Sequence, residues 1–232
     1  MKILGVIIAR GGSKGVKGKN IKDLAGKPLI SYTIDAALAS KIDKLVLSTD
    51  DSNIAQVAKD KGVEIPFMRQ ADLASDSAKS IDVVRHALVE CEKIFNETYD
   101  AIMLLQPTAP FRSTDDINTA IELMSVDSDA HSVISVVDVQ AHHPARMKYI
   151  ENGVLIDPPF VEAYENQNRQ ELTPMFIRNG AIYLTKREVL LNFSFKGQKS
   201  LALVMPLERS VNIDTLSDFE YAEWILLRQQ LK

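Results

Sequence analysis

Cysteine is almost absent from this 232-residue chain. Cys91 stands alone, so an intrachain disulfide cannot form and a cysteine metal cluster is excluded. Such sparing use suits a reducing, cytoplasmic compartment. No run reaches the roughly 18 consecutive apolar residues of a membrane-spanning helix. The first apolar run, Ile3 to Ala9, ends at Arg10 without the small-residue pattern of a cleaved leader. Neither sign of charge dominates: 27 Lys and Arg meet 31 Asp and Glu, and a net charge of -4 provides no overall field to draw in nucleic acid or an anionic membrane. Internal repeats and low-complexity tracts are also missing. What is present, 46% hydrophobic and 25% charged residues, is ordinary globular composition, at a length that suits one domain with an appendage.

Lys2 to Ala9 is a short β-branched run that reads as a strand buried on both faces, hence part of a parallel sheet. Arg10 to Asn20 holds four glycines and reads as a loop, after which Pro28 suits a first helical position. The cycle then repeats. Lys44 to Thr49 is a strand and Ser52 to Lys61 a helix; Val63 to Met68, broken by Pro66, is an edge or extended segment. Ile81, Val84, Leu88 and Cys91 share a helical face, Asp100 to Leu105 is a strand, and Ser113 or Thr114 caps a helix through Met124, with Asp116 three residues after Ser113. Ser132 to Val139, Ala181 to Leu184 and Leu201 to Met205 are further strands, and Thr215 with Asp218 opens a closing helix. This alternation predicts a doubly wound, mostly parallel α/β sheet over residues 1–140 and 179–232, with ligands beyond the carboxyl ends of its strands. Residues 141–178 lose helical period and scatter their apolar residues, as expected of an inserted arm packed on a partner subunit.

The richest chemistry lies in Arg10 to Asn20, directly after the first strand. Glycines let backbone N–H groups approach phosphate oxygens and lysines neutralise them, so this loop suits a polyphosphate. Its spacing is neither that of a P-loop nor G-x-G-x-x-G. Asp214, Asp50 and Asp51 sit at strand ends; one or two carboxylates suffice for Mg²⁺ that keeps waters and substrate phosphates, although Asp50 and Asp51 read equally as helix caps. The rigid, proline-bounded loop Gln106 to Arg112 holds Gln106 and Arg112 against a polar substrate, or is a plain strand-to-helix connection. Asn179-Gly180 reads as a two-residue hairpin turn. His142 and His143, being adjacent, diverge and make a poor metal pair; Cys91 belongs to the core; and Ser/His/Asp catalysis lacks its G-x-S-x-G elbow.

Five segments in order resemble one known family. Ala9 to Ile21 (ARGGSKGVKGKNI), Leu47 to Asp50, Arg69 to Ile81 (RQADLASDSAKSI), Leu105 to Arg112 (LQPTAPFR) and Asn179 to Leu184 (NGAIYL), followed by Ile213-Asp214-Thr215, look like the motifs of the acylneuraminate cytidylyltransferases. The resemblance implies a Rossmann-like CTP-binding domain with a small dimerisation arm, hence a homodimer acting on CTP and a nine-carbon acidic sugar. It implies that Arg10, Gly11, Ser13, Lys14, Lys19 and Asn20 hold the CTP phosphates and ribose, and that Arg69, Ser77 and Ser80 line the cytosine side. Gln106, Asn179 and Tyr183 would face the sugar, with Arg146 and Arg169 reaching its carboxylate across the dimer. Catalysis would rest on Arg10, Lys14, Lys19 and Asp214, with Mg²⁺ on Asp214.

RGGSKGVKGKNI is closer to the legionaminic acid branch of the family than to the animal sialic acid enzymes. One departure is Asn212 in Asn212-Ile213-Asp214, where the family commonly has Asp-Ile-Asp; an amide adds no charge, so any metal depends more on Asp214 and the phosphates. The alternative it raises is a CTP-binding regulatory module without turnover. A nicotinamide-dependent oxidoreductase lacks its fingerprint.

Overall fold

The β-branched run after Lys2 forms β1 (Ile3–Ile8), buried along nearly its whole length. In the computed structural model, which describes residues 1–230, the glycine-rich loop follows and closes in a 3-10 turn over Lys19–Ile21. A small ribbon of β2 (Asp23–Leu24) and β3 (Lys27–Pro28) leads into α1 (Leu29–Leu38), with Pro28 at the cap, one residue ahead of the first helical position expected for it. Then come β4 (Lys44–Ser48), α2 (Ser52–Asp60), the short α3 (Ala71–Ala74), α4 (Ser80–Phe95), β5 (Ala101–Leu105) and α5 (Thr114–Val126). The chain continues through β6 (Ser132–Asp138), β7 (Tyr149–Glu151), β8 (Val154–Ile156), β9 (Phe176–Lys186), α6 (Arg187–Leu191), β10 (Ser200–Val204) and α7 (Leu216–Gln230). Val63 to Met68 stays extended and touches the sheet through a single bridge, Val46 to Glu64.

Six strands make one sheet in the order β10-β6-β9-β5-β1-β4. Five run in one direction; β9 alone runs antiparallel to both its neighbours, β5 and β6, making the sheet mixed. The hairpin expected at Asn179-Gly180 does not form, because the pair lies inside the eleven-residue β9. Gly180 takes φ +76°, and the ladder with β6 shifts register between Ile134 and Val136. The left-handed conformation that makes an NG pair a turn signal serves here as a bulge. Phe176 to Arg178, at the end of the arm segment, pair with β6 as part of the same strand.

Amphipathic helices cover both sheet faces. Ile30 and Ile34 of α1, Ile54 of α2 and Ile117 and Ile121 of α5 pack with Ile3, Ile7, Leu47 and Met103 on one side. Val84, Leu88 and Cys91 of α4 and Leu190 of α6 pack with Leu4, Val6 and Ile102 on the other. Cys91 is fully buried, and burial pushes its thiol up to about 12, which suits a core residue. A third cluster of Val16, Leu24, Ile213 and Phe219 seats α7 against the glycine-rich loop. Ser113 and Asp116 form the capping box expected at α5, and Asp218 accepts from the Thr215 backbone at 2.7 Å ahead of α7. Among the described residues no helix is long and apolar enough to cross a membrane.

Arg187, which starts α6, grips Glu92 of α4 through two parallel bonds of 2.8 and 2.9 Å, and Glu92 also accepts from the Tyr99 backbone. The guanidinium holds the Glu92 carboxyl below its ordinary 4.5. A lowered folded-state value stabilises above the unfolded value and is lost as pH falls through the folded one. Glu92→Gln is expected to destabilise the protein by about 1 kcal/mol at pH 7. In denaturant titrations the difference from wild type should shrink as the pH drops below 4.5.

Candidate functional site

Chain direction on the sheet decides where a cleft opens. From β1 the chain crosses through α1 to β4 on one side; from β5 it crosses through α5 to β6 on the other. Loops leaving β1 and β5 therefore diverge, and a crevice forms beyond the carboxyl ends of these two neighbours. A cavity of about 370 Å³ occupies that place, walled by the ends of both strands, the glycine-rich loop, the segment from Arg69 to Val83 and Asp214.

Ile213 is the fastening point. Fully buried, it donates its N–H to the Thr108 carbonyl at 2.8 Å, and its own carbonyl accepts from Lys19 Nζ at 2.5 Å. Three stretches distant in sequence are thereby joined at the cavity rim. Lys19 also reaches Asp214 Oδ1 at 3.4 Å, and Asn212 donates its amide to Asp214 Oδ2 at 2.6 Å, so both oxygens of the one carboxylate are oriented. Gly15 lies directly against this segment, where a Cβ would come within 2.0 Å of the Asp214 carbonyl oxygen. Only glycine lets the loop pass so close.

Arg10, Lys14 and Arg69 are the other cations that line the cavity. Arg10 and Lys14 both reach Asp76, at 2.8 and 2.6 Å. Asn20 donates to the Arg10 carbonyl, and Asp50 accepts the Gly11 N–H at 3.1 Å, which holds the loop over β4. Arg69 is buried, bound to Ser48 through its side-chain hydroxyl and its carbonyl. Burial lowers the Arg69 pKa; Asp50 opposes that effect and Arg10 adds to it. Asp51 caps α2 through the N–H groups of Asn53 and Ile54, so of the two neighbouring acids one is a cap and the other a loop anchor.

Of the residues singled out in the sequence, Arg10, Ser13, Lys14, Lys19, Asn20, Arg69, Ser80, Gln106 and Asp214 line this one cavity. Gly11 stands just behind its wall, and Ser77 sits on an exposed turn beside Ser75. Arg112 is not available to a substrate. It is buried, and its donors are consumed by the Ala181 carbonyl at 2.8 Å, the Thr33 hydroxyl at 2.7 Å and the Gln106 carbonyl. Its role is to brace the loop that carries Gln106. Asn179 is likewise buried, bonded to Ser135 and Ser210, and its neighbour Gly180 lies beside Gln106 and Asn212. Tyr183 is half-buried against Phe195 under α6, off the cavity wall. In the single chain Arg146 pairs with Glu162 and Arg169 with Gln140, both in the arm or at its base. His143 bonds the Thr173 carbonyl and the Ala145 N–H, as a structural histidine does.

Asp76, Thr108 and Asn212 complete the arrangement in ways the sequence did not assign. Asp76 carried one available signal: it is the acid in the serine-rich turn that follows Leu73, across from a loop of cations. Chemically, the site offers four cationic side chains, Arg10, Lys14, Lys19 and the buried Arg69, together with the carboxylates of Asp76 and Asp214, a set suited to an extended polyanion.

Gly15→Ala is expected to lower kcat/KM by roughly a hundredfold, since displacing the loop by about 1 Å misaligns Lys19 and Asp214 together. Arg112→Met should instead register mainly as a loss of about 3 kcal/mol in unfolding free energy, from three orphaned acceptors. A fully stable Arg112→Met protein with altered substrate KM alone would return Arg112 to the binding site.

A family model described as "Cytidylyltransferase" matches residues 4–232. CMP-N,N'-diacetyllegionaminic acid synthase of Legionella pneumophila is 37% identical over 97% of this chain and 97% of its own. N-acylneuraminate cytidylyltransferase of Escherichia coli is 34% identical over 95% of this chain and 51% of its own length. Pseudaminic acid cytidylyltransferase of Campylobacter jejuni is 35% identical over 96% and 95%. Among solved structures, CMP:2-keto-3-deoxy-manno-octonic acid synthetase complexed with CTP shares the fold with a TM-score of 0.74 at 19% identity, covering 99% of this chain and 100% of that one. With a cation-lined cleft at the switch point of the sheet and relatives matched along nearly its whole length, the chain belongs to the acylneuraminate cytidylyltransferase family.

Proposed function

We propose that the protein joins CTP to a nonulosonic acid, giving the CMP-sugar and pyrophosphate, with N,N'-diacetyllegionaminic acid as the preferred acceptor and N-acetylneuraminic acid next. The observation that carries this reading is the convergence of Arg10, Lys14 and Lys19 with Asp214 on one cavity that Arg69 and Ser80 also line. The sugar's anomeric hydroxyl attacks the α-phosphorus of CTP, a new P–O bond forms, and the bond to the bridging oxygen breaks as pyrophosphate leaves. Arg10, Lys14 and Lys19 neutralise charge on the triphosphate, and Arg69 and Ser80 hold the cytosine end. Gln106, set beside Gly180, meets the sugar.

Asp214 at the cavity fits Mg²⁺, because this cation takes one or two protein oxygens together with phosphates and waters. Bound there, Mg²⁺ would polarise the α-phosphate and lower the pKa of the attacking hydroxyl. The chain's own contribution is orientation: Asn212 and Lys19 present Asp214 in one fixed pose.

The arm over 141–178 supplies the homodimer in this reading. Tyr149, Ile150, Val154 and Leu155 on the β7–β8 ribbon are all exposed in the single chain. Alternation along the ribbon puts Ile150 and Leu155 on one face and Tyr149 and Val154 on the other, and exposed apolar side chains on both faces suit a ribbon that packs against a partner. Across such an interface Arg146 and Arg169 reach the partner's sugar carboxylate.

Pyrophosphate release from CTP, Mg²⁺ and each of legionaminic, N-acetylneuraminic and pseudaminic acids tests the reaction and its acceptor together. Turnover should be fastest with the diacetylated legionaminic acid, and Asp214→Ala should lower kcat roughly a hundredfold or more. A clear preference for N-acetylneuraminate reverses the substrate order, and full activity of Asp214→Ala removes its catalytic role. CTP binding in calorimetry without pyrophosphate from any acid would support the regulatory module that Asn212 suggests.

A further inference from the structure

Two cations of the cradle, Arg10 and Lys14, are engaged by one carboxylate. Asp76 places Oδ1 at 2.8 Å from Arg10 Nη2 and Oδ2 at 2.6 Å from Lys14 Nζ. Among the described residues it is the carboxylate in ion-pair contact with either group. The other terminal nitrogen of Arg10, Nη1, donates to the Ala74 carbonyl at 3.4 Å, so both terminal nitrogens of this guanidinium contact the segment Ala74 to Asp76. Asp76 itself lines the cavity, half-exposed, on the turn between α3 and α4.

One carboxylate bridging two cations through two oxygens satisfies them as the edge of a phosphate would. We propose that Asp76 is a ligand-discriminating residue of the cradle: its carboxylate holds the phosphate position between Arg10 and Lys14, and a ligand gains both cations only by displacing it. The inference rests on the reading of the cradle as a triphosphate site. Because the competitor is tethered in the same chain, it acts at a fixed and high effective concentration that solution anions do not share. Ligands that engage both cations are weakened by the lost pairs, whereas a ligand confined to the Arg69 side is not. Orthophosphate and similar anions, binding weakly already, fall below a useful affinity. A triphosphate, with contacts beyond Arg10 and Lys14, retains enough to bind. When pyrophosphate forms, Asp76 returns to the two cations and favours its departure. The Lys14 ammonium, followed by the Arg10 guanidinium, holds the Asp76 carboxyl below its ordinary range, so the competitor is ionised near neutrality.

The test is calorimetry of sodium tripolyphosphate and of pyrophosphate with the wild type, Asp76→Asn and Asp76→Ala, in metal-free buffer, with cytidine followed by NMR chemical shifts. Both variants are expected to bind both polyphosphates about fivefold more tightly, given two exposed ion pairs lost from the free state, with cytidine affinity unchanged. Equal or weaker polyphosphate binding by the variants overturns the proposal. So does tightening by Asp76→Asn alone, which would mean that a new amide donor to phosphate is responsible. A parallel rise in cytidine affinity also overturns it, by showing a general loosening of the turn. If the wild type takes up no tripolyphosphate, the triphosphate reading of the cradle falls first and the proposal with it; if the wild type binds and the variants bind no tighter, only the role of Asp76 falls.

Discussion

A buried ammonium group ties the beginning of the chain to its end. Lys19, whose side chain is almost enclosed, donates to the Ile213 carbonyl 194 residues away and reaches the Asp214 carboxylate beside it. A lysine is tolerated out of water only where its donors are met, so the glycine-rich loop and the segment before α7 are held in one relative position. Thr108 adds the loop after β5 to the same knot through the Ile213 N–H. These three segments and the stretch from Arg69 to Val83 wall the cavity, and Gly15 supplies the clearance that the crossing at Asp214 needs.

The second requirement is that a cluster of cations remain folded before any anion arrives. Each is given a separate oxygen partner: Arg10 and Lys14 share Asp76, Lys19 takes Ile213 and Asp214, and Arg69 is sunk against Ser48. Asp50 contributes through the Gly11 backbone N–H as well as through its charge near Arg69. The acidic residues at this edge thus hold the basic loop in shape, which explains how a chain with a net charge of -4 presents a positive cleft.

Much of this was legible in the residues. The run Ile3 to Ile8, the periodic helices around Ile54 and Leu88, the capping boxes at Ser113 and Thr215, and the glycine-rich loop after the first strand all appear where their local chemistry places them. Local chemistry failed where a residue's partner lay far along the chain. Asn179-Gly180 carries a turn signal, but pairing on both sides with β5 and β6 turns it into a strand bulge. Arg112 looks like a substrate group on a rigid loop, yet Ala181 and Thr33, 69 and 79 residues away, consume its donors. Asp76 had no assigned role until Arg10 and Lys14 were seen to converge on it.

The sequence by itself determined the fold class and the position of the glycine-rich loop, because each depends on short-range pattern: periodicity of apolar residues, capping chemistry, and glycines next to cations after a buried strand; the family followed from the resemblance of whole segments in order. Tertiary structure alone decided which polar residues face the cleft and which are consumed in supporting it. An arginine, an asparagine or an aspartate carries the same donors and acceptors in either role. Only the distance to its partner, set by the order of strands in the sheet, tells them apart.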